Sequence, residues 1–554
     1  MLPMSYRVLV TDEIDPEGVA LLRAEPVLAV DEVPTLPKDE LLARIGEYDA
    51  FVGRSATRIS ADVLNAATRL RVVGRAGVGI DNIAVDRATE LGIAVINAPA
   101  GNTVAVAELF FGVVIGLLRH LPHAYESMRA GRWDRSELLG AELKGRTLGI
   151  VGLGRIGGEI AVRARAFGMD VVAYDPYVAE SRFNALRVRR AASLDELLDE
   201  ADVLTVHTPL TDETRGMIGS RELTRLSPGA IVVNMARGGI VEENALVDAL
   251  TAGRIAGAAV DAFEKEPLAP EHQLRSAPGM FLTPHIGAST AEAQRNVAVD
   301  ACAAVRDALI RGELSRSVNV AEGEPGRWAE LRSARTLVRH AAAIAQAMLV
   351  SGGAGAVGRI EVRGGASLAG VRDALLASAA LGVMEAVVEQ DRLNLINARS
   401  IAEGRGIELS FTEAADMERA GGVQTIEVRL TGGVRDITVG GFAHGSAQGP
   451  APGGTDGSGG FRITRIGAFR VDVWPRDTLL ILTNNDVPGV IGRVGTVLGA
   501  AGVNIAEYHQ ARLAQGGEAL AAVSIDGNIN PSLKQELLAL PDVRTATVVT
   551  FRES

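Results

Sequence analysis

The sequence predicts an α/β protein: two doubly wound parallel-sheet domains with a cleft between them, then an α+β intervening domain and a C-terminal unit of ferredoxin-like topology. Three observations carry that expectation. Short valine-rich segments alternate with helical patterns through the first 289 residues, as in parallel strands joined by crossover helices. A Gly-x-Gly-x-x-Gly turn, Gly152 to Gly157, sits where an apolar run breaks into a helix. Residues 478–553 read strand, helix, strand, strand, helix, strand.

In chain order, strands are expected at 7–11, 50–53, 72–75 and 94–97, with a helix at 61–68. The second unit places strands at 147–151, 171–175, 203–206, 230–234, 257–260 and 280–283. A helix over 290–312 then returns the chain to the first domain. The expected division is 1–100 with 290–318 for the substrate-binding domain, 101–289 for the nucleotide domain, 319–475 for the intervening domain and 476–554 for the last. A tract rich in Gly, Pro, Ser and Ala, 444–460, reads as a disordered surface insertion.

Bulk properties narrow the function. A chain of 554 residues is too long for one core, and 47% hydrophobic content supplies several. With 56 basic against 68 acidic residues the net charge is -12, which disfavours a nucleic-acid or anionic-membrane surface, so an anionic substrate must meet a local basic pocket. The single cysteine, Cys302, excludes a disulfide framework and a CxxC metal site and points to the reducing cytoplasm; no metal is expected. The amino terminus lacks a signal-peptide pattern, and the apolar stretch 104–118 carries Glu108 and reads as a buried helix.

The glycine turn is a phosphate cradle of the Rossmann type. Gly152 permits a tight strand-to-helix turn, Gly154 lets a pyrophosphate approach the backbone, and Gly157 allows close helix packing. Asp175, ending the next strand about 20 residues on, suits the ribose hydroxyls and favours NAD over NADP, whose 2′-phosphate it would repel.

Three further pieces each follow a strand: Asn234 to Gly239, Asp261 to Pro267 and Thr283 to Gly287. In open parallel sheets ligands bind at the carboxyl ends of strands, so Arg237, Glu266 and His285 converge on the cofactor cleft. Oxidising a secondary alcohol requires a group to accept the hydroxyl proton as hydride departs, and imidazole suits it. Glu266 would fix the tautomer of His285, and Arg237 would grip a substrate carboxylate through paired hydrogen bonds. His207 is read as part of the cofactor wall, and His120 and His123 as solvated or packed. Taken singly each group has a bland explanation; their joint placement is what singles them out.

These four motifs resemble the D-isomer-specific 2-hydroxyacid dehydrogenases, and in particular the members that oxidise 3-phosphoglycerate to 3-phosphohydroxypyruvate, the first step of L-serine biosynthesis. The resemblance implies NAD contacts at Arg155, Ile156, Asp175, Thr208, Met235, Asp261, Gly287, Ala288 and Val78. It also implies a substrate-phosphate pocket at Arg54 and Arg75 beside Arg237, and a homodimer or homotetramer in which the helix around 104–118 takes part and residues 132–135 approach the partner's site. Residues 321–475 resemble the intervening domain of the long form. The last unit resembles an ACT domain, which binds amino acids between paired copies; Asp486 and Asn504 are its candidate effector residues and L-serine the implied effector. The core motifs leave open a glyoxylate, hydroxypyruvate or D-lactate type reductase, and an NAD-sensing corepressor-like binding protein.

Overall fold

The computed structural model describes residues 6–314, 316–320, 328–353, 356–385, 387, 393–417, 423–444, 460–475 and 477–551. Its first sheet contains β1 (Tyr6–Val10), β2 (Leu28–Glu32), β3 (Ala50–Gly53), β4 (Val72–Arg75) and β5 (Ala94–Asn97), all parallel, in the order β2-β1-β3-β4-β5. The edge strand β2 was not expected from the sequence. Only Leu28 of its five residues is buried, so it lacks the apolar run that marks the central strands.

Helix Ala291–Arg311 starts on the Thr290 side chain, which accepts from Ala293 N at 3.1 Å, and is capped by Gly312 at φ +61. As expected, it returns to the first sheet, where Val297, Ala301 and Val305 share a core with Val10, Val52 and Val72. Cys302 lies in that core, and burial pushes its thiol up to about 12, leaving it protonated and unreactive near neutrality.

The second sheet joins β6 (Thr147–Val151), β7 (Asp170–Tyr174), β8 (Arg189–Arg190), β9 (Val203–Val206), β10 (Ile231–Asn234), β11 (Gly257–Val260) and β12 (Met280–Leu282). Its order is β12-β11-β10-β9-β6-β7-β8, again parallel, so the winding reverses between β6 and β9. A crevice forms at such a switch point. Helix Thr103–Leu118 is buried as expected, with Phe110, Val114 and Leu118 in one core with Ile160 and Ala161.

A third, six-stranded sheet holds β13 (Val357–Gly364), β14 (Glu408–Glu413), β15 (Val423–Gly432), β16 (Arg435–His444), β17 (Phe461–Ile466) and β18 (Phe469–Val473), in the order β14-β13-β15-β16-β17-β18. Most of the glycine-rich tract, 445–459, lies outside the described residues; β16 and β17 on either side of it pair antiparallel. Helices Trp328–Ser351 and Arg372–Met384 pack on each other, and the first also on this sheet. Among the described residues one helical stretch, Ala366–Met384, is long and apolar enough to cross a membrane; 72% of it is buried inside the fold, as a core helix would be.

The last sheet contains β19 (Thr478–Asn485), β20 (Asn504–Arg512), β21 (Glu518–Asp526) and β22 (Val543–Thr550), antiparallel, in the order β20-β21-β19-β22. With helices Val490–Ala500 and Pro531–Leu538 this is the ferredoxin-like arrangement. Strand alternation divides its side chains cleanly. Leu480, Leu482, Val523 and Ile525 face the helices, whereas Leu479, Ile481, Leu520 and Ala522 join one core with Leu337, Ile344, Ile463 and Val473 of the preceding unit. The third and fourth sheets therefore share an interior.

The preceding unit also docks on the first domain: Asn394 Nδ2 donates to Gly92 O at 2.7 Å and Ile396 enters the first core.

Because Ile481 is 1% exposed inside that shared interior, Ile481→Ala is expected to cost about 2–5 kcal/mol and to lower the melting temperature of both C-terminal units together. Calorimetry resolving two transitions, with only one displaced, would contradict a common core.

Candidate active site

Six parallel strands end on one rim of the second sheet, and the loops after β6, β7, β9, β10, β11 and β12 carry the predicted residues. In the glycine turn, Gly152 has φ +95, and a Cβ there would stand 2.7 Å from the His207 carbonyl oxygen. Gly157 lies so close beneath it that a Cβ would be 2.2 Å from Gly152 O. Gly154 begins helix Arg155–Ala166, and the space over it is open. The three glycines thus meet three different steric demands, as their spacing predicts. Asp175 braces the turn, Oδ2 accepting from Leu153 N at 2.9 Å and Oδ1 from Tyr177 N at 3.0 Å. Arg155 is exposed and Ile156 partly buried on the first helical turn.

Beside the turn, His207 Nε2 pairs with Thr205 Oγ1 at 2.8 Å. Burial pushes this imidazole down to about 3, so it is neutral near neutral pH. The Thr208 hydroxyl, on the adjoining residue, is buried without a partner. An orphaned hydroxyl, free helix N–H groups and open space over Gly154 form a donor set that fits an anionic dinucleotide.

His285 follows β12, and its Nδ1 lies 2.8 Å from both carboxylate oxygens of Glu266, which follows β11. Glu266 is itself oriented by Phe263 N, which donates to Oε1 at 3.0 Å. With Nδ1–H committed to the carboxylate, Nε2 of the neutral ring carries a lone pair able to take a proton.

His285 stands at φ +52, an unusual conformation for a side-chain-bearing residue. Asp261 holds it there. This 1% exposed carboxylate accepts from Thr283 Oγ1 (2.6 Å), Ile286 N (2.8 Å) and Gly287 N (2.8 Å). Asp261 was expected among the cofactor contacts; the geometry gives it at least the further task of bracing the histidine loop. Ala288 O is held by Gln294 Nε2 at 2.6 Å.

Arg237 follows β10. Asn234 Nδ2 donates to its carbonyl at 2.9 Å, and Gly238 packs so tightly on the Phe263 carbonyl carbon that a Cβ would lie 1.9 Å from it. Met235 beside it is 7% exposed. From this nucleotide-side loop the Arg237 guanidinium reaches Asp81 of the first domain, Nε donating to Oδ2 at 3.0 Å. The same first-domain edge carries Val78, whose carbonyl accepts from Asn97 Nδ2 at 2.6 Å, together with Arg54 and Arg75.

Arg75 Nε donates to Asn82 Oδ1 at 3.0 Å, while Asn82 Nδ2 holds the carbonyls of Arg54 and Thr57. Burial and the Arg237 charge, with a smaller push from Arg54, lower the Arg75 guanidinium to about 10, still cationic at neutral pH. The structure thus groups three guanidinium side chains, two predicted for phosphate and one for carboxylate. Residues not singled out from the sequence serve the group. Asp12, at φ +67, accepts from Arg54 N, Thr57 N and Thr57 Oγ1, and Asp81 and Asn82 complete the edge. Their only prior signal was adjacency: Asp81 and Asn82 directly follow the Gly-Val-Gly-Ile segment.

The two candidate effector residues do not meet within one chain. β19 and β20 run in the same direction on either side of β21. Asp486, just past the end of β19, binds Arg512 Nη1 and Gly516 N, both at 3.1 Å, whereas Asn504, at the start of β20, donates to Asp526 at 2.7 Å. They occupy opposite ends of the sheet.

Fold and site together define a two-lobed oxidoreductase class in which an imidazole–carboxylate pair and a guanidinium adjoin a dinucleotide cradle. Residues 111–287 match the family model described as "D-isomer specific 2-hydroxyacid dehydrogenase, NAD binding domain". Among solved structures the chain is similar to a Thermus thermophilus protein (36% identity, TM-score 0.52, 56% of this chain and 99% of that one). A glyoxylate reductase from Paecilomyes thermophila is similar too (31%, TM-score 0.53, 57% and 98%). D-3-phosphoglycerate dehydrogenases are similar over nearly their whole length: those of Bacillus subtilis (36% identity, 98% of this chain, 99% of the relative) and Mycobacterium tuberculosis (37%, 98% and 98%). The chain belongs to the D-3-phosphoglycerate dehydrogenase family. It is an NAD-dependent oxidoreductase.

Two buried neutral histidines tie this fold to pH. His207 and His340 are both pushed down to about 3, chiefly by burial, whereas an unfolded histidine titrates near 6.5. Between those values the unfolded chain binds protons that the folded chain does not, so stability is fully present above about pH 6.5 and falls as pH drops toward 3. Melting temperature measured from pH 7 to 4 should fall less steeply in His207→Gln than in the parent; parallel curves would refute the linkage.

Proposed function

We propose that this chain oxidises 3-phospho-D-glycerate to 3-phosphohydroxypyruvate with NAD, the first step of phosphorylated L-serine biosynthesis. The observation that carries this reading is the His285–Glu266 pair, opening on the same strand ends as the glycine cradle and Arg237, with the Arg54 and Arg75 guanidinium groups on the facing first-domain edge.

Arg54 and Arg75 would take the substrate phosphate, and Arg237 its carboxylate, which orients the C2–H and C2–OH bonds. His285 Nε2 removes the hydroxyl proton as the carbonyl forms, and Glu266 stabilises the imidazolium through Nδ1–H. NAD, when bound, would supply the acceptor for the hydride that leaves C2. Gly152, Gly154, Arg155, Ile156 and Gly157 would hold its pyrophosphate, Asp175 its adenosine ribose and Thr208 the adjoining wall. Val78 would stand near the nicotinamide, and Met235, Asp261, Gly287 and Ala288 would make further contacts to the nucleotide. A glyoxylate reductase needs no phosphate pocket, and the Arg54–Arg75 pair favours the phosphorylated acid.

The first sheet with helix Ala291–Arg311 is the substrate-binding domain in this reading, the second sheet the NAD domain, the third the intervening domain and the fourth an ACT domain, in a cytoplasmic enzyme. L-serine is the effector an ACT unit here would take. Since Asp486 and Asn504 lie at opposite ends of one sheet, a site using both requires two copies. Assembly would use helix Thr103–Leu118 and the following helix Leu121–Arg129 with the segment after it, where Leu121, Tyr125, Met128 and, past the helix, Trp133 are exposed.

His285→Gln should lower kcat by about 10²–10⁴-fold while NADH affinity, read by fluorescence, stays within about twofold; wild-type turnover would remove His285 from proton transfer. Arg75→Ala should raise KM for 3-phosphoglycerate by about tenfold or more, because a charge-assisted contact to the phosphate is lost; an unchanged KM would place the phosphate elsewhere. Inhibition of the full chain by L-serine, abolished in Asn504→Ala, supports the effector reading, and insensitivity of the parent overturns it. Light scattering should give a dimer or tetramer, against which a monomer at micromolar concentration would count.

A further inference from the structure

We infer that Asp81 is a positioning residue for this oxidation, its carboxylate holding Arg237 across the cleft so that the guanidinium is presented to the substrate carboxylate. The inference rests on the reaction proposed above and adds a residue to it.

Asp81 stands on the first-domain loop after β4, and Arg237 on the nucleotide-side loop after β10. Two bonds fasten the guanidinium: Nε donates to Asp81 Oδ2 at 3.0 Å and Nη1 to Ala236 O at 2.7 Å. They leave Nη2 for an incoming anion. That nitrogen lies directly over Gly79, where a Cβ would approach it to 2.0 Å and Asp81 Oδ2 to 2.7 Å. The ion pair therefore folds over bare backbone, in a place only glycine provides.

The surrounding charges show why a carboxylate is needed. Arg237 and Arg54 both disfavour the cationic form of Arg75, and Asp81 favours it. Like charges on long, flexible side chains separate into solvent unless a counter-charge holds them. Asp81 supplies that charge before substrate arrives. A role in fold stability is the competing explanation, and exposure argues against it: the Asp81 side chain is 67% exposed, and pairs this open to water add little to folding.

The loop bearing Asp81 is tied to its surroundings by hydrogen bonds of the next residue. Its neighbour Asn82 donates to the carbonyls of Arg54 (2.9 Å) and Thr57 (2.7 Å) and accepts from Arg75 Nε (3.0 Å). Asp81 thus links the phosphate-side arginines to the carboxylate-side arginine through one short segment.

The experiment is a double-mutant cycle of Asp81→Asn and Arg237→Gln, reading kcat and KM for 3-phosphoglycerate and NADH affinity by fluorescence. Asp81→Asn alone should lower kcat/KM by about tenfold with NADH affinity within about twofold of the parent. Added to Arg237→Gln, it should change kcat/KM by less than about twofold, because the arginine it acts through is gone. A wild-type kcat/KM, a KM below the parent's, or a full tenfold loss in the Arg237→Gln background overturns the inference. A parent that does not oxidise 3-phosphoglycerate overturns the proposed reaction instead.

Discussion

One buried carboxylate fixes the conformation of the loop that carries His285. Asp261 sits at the end of β11 and accepts three hydrogen bonds from Thr283, Ile286 and Gly287 at the end of β12. A charge that deep inside the fold is costly unless its oxygens are satisfied, and these bonds satisfy both oxygens while holding His285 in a left-handed conformation. The imidazole is then turned so that its Nδ1 meets both oxygens of Glu266. Neighbouring strand ends therefore hold the imidazole and its carboxylate partner, and the parallel order of the sheet brings them to the rim that carries the glycine turn.

Electrostatics complete the cleft from the other side. The chain carries a net charge of -12, yet it gathers Arg54, Arg75 and Arg237 around one gap. A triply anionic substrate would be repelled by the average surface and attracted by this local field. The grouping is held by neutral and acidic neighbours: Asn82 on Arg75, Asp12 on the Arg54 backbone, Asp81 on Arg237. Concentrating positive charge this way needs both domains, since Arg237 arrives from one and the other two from the first.

The C-terminal half obeys a different constraint. Strand alternation in β19 and β21 buries both faces of the last sheet, one under its own helices and the other against the preceding unit. The two added units share an interior and, through Asn394 and Ile396, lean on the first domain. Their opposite-ended Asp486 and Asn504 make any joint site a property of an assembly.

Local pattern was enough for much of this. The strands from Ala50 to Asn97 and from Val203 to Val260, the glycine turn, Asp175, the loops bearing Arg237, Glu266 and His285, and the β-α-β-β-α-β order of the last unit are all set by apolar periodicity, glycine placement and short spacing, which act between residues close in sequence. Edge strand β2 escaped because an edge needs no apolar run. Asp12, Asp81 and Asn82 escaped for another reason: an isolated acid or amide in a loop has no local mark of its partners, which lie as far as 156 residues away for Asp81. The merging of two C-terminal cores and the grouping of three arginines were likewise decided only in three dimensions. Hydrogen bonds, charge and contact depend on distance in space, and the chain brings these residues together only when its domains close on one another.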